Sequence, residues 1–168
     1  MKFIKGISNT LSVVERSVVV LLLGVMIALA FLQVILRNIF SMGFLWADPL
    51  LRHMVLWVGL LGASLATQQE KHINLDIITR LFSTKYINYI RILTNLFASI
   101  ITYFLAEAGF TFLKSEIESN EILFTVGETT FQAWWFQLII PLGFGLMTFR
   151  FLINAIEHII KIFHPSKP

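Results

Sequence analysis

From Ser17 to Leu36 the chain runs for twenty residues without a charged side chain, bounded by Glu15 and Arg16 on one side and Arg37 on the other. A helix of that length extends about 30 Å, the thickness of a bilayer's hydrocarbon core. Its apolar run exceeds the roughly 7 to 15 residues of a secretory leader and no small-residue cleavage site follows, so it reads as a retained span although Lys2 and Lys5 precede it. Three more stretches share this character, giving spans at about 15–38, 48–68, 86–113 and 129–157. The second opens at Asp48-Pro49, where Asp48 can cap the free amides of the first turn and Pro49 sits where a missing N–H is tolerated. In the fourth, Trp134-Trp135 belongs at a membrane–water boundary, and Pro141 should kink the helix by crowding the carbonyl of Gln137.

Composition agrees with a lipid-embedded chain. Hydrophobic residues make up 57% and charged residues 14%, against roughly 25% charged in soluble proteins; so few polar groups cannot cover the surface of a 168-residue globule. The expected fold is therefore an all-α integral membrane protein, a single four-span domain over residues 1–168. The chain has no cysteine, which excludes disulfides, thiolate metal sites and cysteine nucleophiles. A net charge of +3 gives nucleic acid no footing.

The basic residues set orientation. Lys2, Lys5, Arg16, Lys71, Arg80, Lys85, Arg91, Arg150, Lys161 and Lys167 fall on one side of the four spans, and Arg37, Arg52 and Lys114 on the other. Basic connections stay in the cytoplasm, so both termini are predicted to be cytoplasmic. Between the second and third spans, Ile73, Ile77, Ile78, Leu81 and Phe82 share one helical stripe, which predicts a short interfacial amphipathic helix over about 73–84. The connection from Lys114 to Glu128 is acidic, with a small apolar patch at Ile122-Leu123-Phe124, and reads as a solvated outer loop.

Ionisable groups within spans are the default functional candidates. Arg52 lies four residues after Asp48, so the two share a helix face and an Asp48–Arg52 pair would anchor the outer end of span two, or contact a partner subunit. Glu107 lies about 24 Å along a helix from Arg91, toward the outer boundary, which disfavours a midplane proton-coupling role. Gln33, in the outer half of span one, can bond across helices. Gly59 and Gly62-Ala63-Ser64, and also Gly143 and Gly145, permit close helix approach, within the chain or to a partner. The four histidines raise a b-type cytochrome as the alternative but are poorly placed for it: His53 has no outer histidine opposite, which leaves His72 with His158 as the one pair still open. Phosphate loops, HExxH helices and GxSxG elbows are absent, and four spans with one Pro interruption do not form the repeated halves of a transporter core, so the chain reads as a subunit and not an enzyme.

Gln33-Val34-Ile35-x-Arg37, then Trp46-Ala47-Asp48-x-x-x-Arg52, then Trp57-x-Gly59-Leu60-Leu61-Gly62-Ala63, then His72-Ile73-x-Leu75-Asp76 closely resemble the small membrane subunit of TRAP (tripartite ATP-independent periplasmic) transporters, the DctQ-like family. The order of these pieces is more specific than any one of them. Asn38 stands where an aromatic is common in the family, and Pro49 where a second acidic residue is common. The resemblance implies a small permease subunit in the bacterial inner membrane that braces the scaffold of a large multispan partner. It further implies that the partner holds the sodium and substrate sites of a symporter, and that a periplasmic binding protein delivers an organic anion. No cofactor is implied for this chain. Gln33, Arg37, Trp46, Asp48, Arg52, Trp57, Gly59, Gly62, His72 and Asp76 become the structural or partner-interface candidates, in contact otherwise with membrane lipids.

Overall fold

The computed structural model describes residues 2–69 and 84–163. The elements are α1 (Lys2–Ile39), α2 (Ala47–Gln69), α3 (Thr84–Ser119), β1 (Ile122–Val126), β2 (Thr129–Gln132), α4 (Ala133–Gln137) and α5 (Ile139–Phe163). Four stretches are long and apolar enough to cross a membrane: Thr10–Ile39, Ala47–Gln68, Tyr89–Ser119 and Ala133–Ile160. The predicted interfacial helix over 73–84 falls almost wholly outside the described residues.

The helix ends differ in detail from the sequence-based expectation. Asp48 does not cap α2; the helix begins one residue earlier, with Leu50 N–H donating to the Trp46 carbonyl at 3.3 Å. Asp48 instead lies inside the first turn, where a negative charge still suits the exposed amides. Span three continues beyond Leu113 to Ser119 and ends where Asn120 takes a left-handed conformation (φ 54°) and returns its N–H to the Glu116 carbonyl.

The expected outer loop and the first residues of the expected fourth span form a β-hairpin. Phe124 pairs with Phe131, Thr125 with Thr130 and Val126 with Thr129 across antiparallel strands. The two-residue turn has Gly127 at φ 61° in its first position, the geometry that mirror-image hairpin turns require and glycine supplies. Span four therefore starts at Ala133, not Thr129. Its helical ladder is interrupted at Leu138, between α4 and α5, as Pro141 demands: without an N–H on Pro141, the Gln137 carbonyl has no partner one turn on.

Backbone packing is closest between α3 and α5, α1 and α2, and α2 and α5, with a smaller approach of the short α4 to α3. The spans stand in a row, α1–α2–α5–α3, instead of closing into a ring. Small residues set the contacts. A Cβ on Gly143 would lie 2.9 Å from the Cβ of Leu60, and one on Gly109 would lie 2.9 Å from Ile140 and 3.3 Å from the Pro141 nitrogen. On α3 the buried positions Asn95, Ser99, Thr102 and Leu113 recur at helical spacing toward α5; Thr148 donates to Thr102 at 3.0 Å across that seam. At most 22% of any span's most apolar window is buried within the chain, and only 6% of α1's. A row with so much apolar surface uncovered needs lipid or another membrane protein on both faces.

Candidate functional site

Polar side chains gather at two levels of the row. At the hairpin end, the amide of Gln33 grips the α1–α2 connection from both sides: its Nε2 donates to the Phe44 carbonyl at 2.9 Å, and the Phe44 N–H donates to its Oε1 at 3.1 Å. A buried amide paired this way holds a loop in place without leaving a polar group unsatisfied. Folding the connection back brings Arg37, from the last turn of α1, to 4.0 Å from Asp48. The Asp48 pairing is thus with Arg37 and not with Arg52. Both partners are more than half exposed, so the pair contributes little by itself. Arg52 is exposed and makes no ion pair among the described residues.

Aromatic rings bind the hairpin to the same end. Trp46 stacks on Phe44 (5.3 Å) and meets Phe124 (6.4 Å), and Phe124 touches Phe131 (5.0 Å) and Phe136 (5.7 Å). Trp57 donates its indole N–H to the Phe136 carbonyl at 2.7 Å, and Trp134 donates to Gln132 at 2.6 Å. Trp134, with its N–H satisfied and an apolar ring at the start of the fourth span, suits a membrane boundary. A cleft of about 400 Å³ opens here between α2 and the hairpin, lined by Asp48, Arg52, His53, Glu121 and Gln137 among others. His53 is tied to the Pro49 carbonyl through Nδ1 at 2.9 Å and meets the Phe136 ring at 5.9 Å.

The second level, toward the other end, is buried. Arg150 donates to Glu15 at 2.5 Å, to the Ser64 carbonyl at 2.7 Å and to Ser12 at 3.3 Å, while Ser64 Oγ donates to the other Glu15 oxygen at 3.3 Å. The Arg150 and Glu15 side chains are 2% and 4% exposed. Four residues on, Asn154 donates to the Thr67 carbonyl at 3.1 Å. Glu15 and Arg150 served only as boundary and topology markers in the sequence. The signal was an Arg inside the apolar run Phe149 to Ile153, with an acid at the same end of another span. A buried guanidinium needs both a counter-charge and neutral acceptors, and α1 and α2 supply them.

The position of Glu107 along the row follows from the α3–α5 seam. Residue numbers run in opposite directions along the α3–α5 seam: Thr102 meets Thr148, and Gly109 meets Pro141. Stepping two residues back from Gly109 and two on from Pro141 moves the same way, about 3 Å each, so Glu107 is level with Gly143 and hence with Leu60. Leu60 lies about 20 Å from the Ala47 end of α2 and about 14 Å from the Gln69 end. Glu107 therefore stands near the middle of the row, measured along the helix axes.

Among the sequence candidates, the structure gathers Gln33, Arg37, Trp46, Asp48, Arg52 and Trp57 at the hairpin end. Gly59 and Gly62 have nothing within 4 Å of where a Cβ would stand, whereas Gly143 and Gly109, the second absent from the candidates, make the chain's own close contacts. His72 and Asp76 lie outside the described residues, so the alternative haem pair has one member, His158, within them. Among the described residues no group of three or more His, Asp or Glu side chains is placed to hold a metal ion.

A row of four apolar spans tied together by buried polar contacts defines a multi-pass membrane protein. The comparison with known proteins gives the particular kind. Residues 26–161 match the family described as "Tripartite ATP-independent periplasmic transporters, DctQ component", and the chain belongs to that family: it is a small subunit of a TRAP transporter. It is also 26% identical over 154 residues to the "Sialic acid TRAP transporter permease protein SiaT" of Haemophilus influenzae (strain 86-028NP), a match covering 90% of this chain and 23% of that one. The chain thus spans about a quarter of the length of that relative.

Proposed function

We propose that this subunit sits in the bacterial inner membrane with both termini cytoplasmic and braces the scaffold of a larger, sodium-coupled subunit. In this reading the pair takes up an organic anion handed over by a periplasmic binding protein, and the small chain itself catalyses no reaction and carries no cofactor. The observation that supports it most is the open row: at most 22% of any span's apolar window is covered from within, while the Glu15–Arg150 and Gln33–Phe44 ties hold the row in shape. A moving carrier needs a fixed body to move against, and a stiff plate of tilted helices enlarges that body in the membrane. The match to less than a quarter of a permease named for sialic acid supports a division of labour in which the solute and sodium sites lie in another polypeptide. That name also supports an anionic solute class.

The test is co-expression with the large membrane subunit of the same transporter. A stoichiometric complex surviving detergent extraction is expected; separation of the two chains under conditions that keep each folded would refute the reading.

A further inference from the structure

Glu107 is exposed on α3 at mid-depth, among exposed Tyr103, Phe104 and Phe110. Hydrocarbon offers a carboxylate no donor, and a charge held at that depth without a partner is costly. Its side chain has no ion-pair or hydrogen-bond partner among the described residues; only its backbone carbonyl is engaged, by the Thr111 hydroxyl at 3.1 Å. Seven residues on, two turns along the same face, Lys114 is exposed as well. The separation, about 10 Å along the axis, is too long for the two to pair with each other. The outer surface of α3 therefore carries an acid at mid-depth and a base toward the hairpin end, set in an aromatic stripe.

That pattern selects its occupant. Lipid headgroups reach Lys114 but not a group level with Leu60. A second copy of this chain, inserted the same way round, would bring Glu107 to the depth of Glu107 and Lys114 to that of Lys114, so like charges would meet. We propose that the α3 face bearing Glu107 and Lys114 seats a helix of the larger membrane subunit, one presenting a basic side chain at the depth of Glu107 and an acidic group near Lys114. The inference rests on the bracing role proposed above and adds the face and the charge pairing that achieve it.

Two measurements test it in membranes holding both chains. A photo-crosslinking benzoylphenylalanine in place of Phe104 or Phe110 leaves Glu107 intact and should yield an adduct of the summed mass of the two subunits. Glu107→Lys should lower co-purification of the large subunit at least tenfold and Glu107→Gln by less, with each variant alone eluting as the wild type does. Adducts only to lipid, adducts of twice this chain's mass, or wild-type recovery with Glu107→Lys would overturn the assignment of this face while leaving the complex itself in place. Failure of the wild-type chain to co-purify would instead overturn the bracing role, and this inference with it.

Discussion

Arg150 of the last helix reaches Glu15 of the first at 2.5 Å, joining residues 135 positions apart. The bond spans three members of the row, because the same guanidinium holds the Ser64 carbonyl of α2. Each charge is buried by the other's helix, so removing one strands its partner.

Arg150→Met and Glu15→Leu are each expected to destabilise the isolated subunit by about 3–5 kcal/mol, the usual cost of leaving one buried charge unpaired. The double variant should recover much of that loss, since two apolar side chains have no desolvation to offset. Thermal unfolding in detergent of the two single variants and the double variant measures the coupling. Additive losses would show that the pair does not act as a unit.

Gly143→Ala and Gly59→Ala should differ in sign. At position 143 the new methyl group meets Leu60 Cβ at 2.9 Å, an atom too near its backbone to yield, and a loss of about 1–3 kcal/mol follows. At position 59 there is open space, and alanine's better helix propensity favours the variant by up to about 1 kcal/mol. Melting of the purified chains separates the two outcomes.

Arg52→Ala should leave membrane insertion and the stability of the isolated chain unchanged, because Arg52 is exposed and makes no ion pair within the described chain. Assembly with the large subunit or uptake by the complex should fall several-fold if the cleft of Asp48, Arg52 and His53 contacts a partner. Normal complex yield together with full uptake would remove Arg52 from the interface.

A reporter fused after Asn120, at the end of α3, should read as periplasmic. The hairpin from Ile122 to Gln132 would then face the side from which the binding protein delivers solute. A cytoplasmic reading would invert the orientation inferred from the basic residues.

The four spans could be read from charge-free runs, because in lipid the only cheap answer to twenty apolar residues is a helix. What escaped was tertiary. Asp48 and Arg52 share a helix face, yet Asp48 pairs with Arg37 because Gln33 pulls the α1–α2 connection back over the end of α2, a fold-back that helical spacing does not encode. Arg150 counted as a topology marker because a positive charge near a span end ordinarily is one; its burial depends on which helix stands beside it. The hairpin was legible in principle: Val126-Gly127-Glu128-Thr129, flanked by β-branched and aromatic residues, carries a two-residue turn signal. The acidic residues around it made a solvated loop the simpler reading.

Reconstitution into liposomes under an inward sodium gradient tests the central claim most directly, with this chain alone, the large subunit alone, and the two together, each with the periplasmic binding protein and a labelled organic anion. The account predicts uptake by the pair, none by the small chain alone, and a reduced rate by the large subunit alone. Solute movement by this chain in the absence of its partner would contradict it.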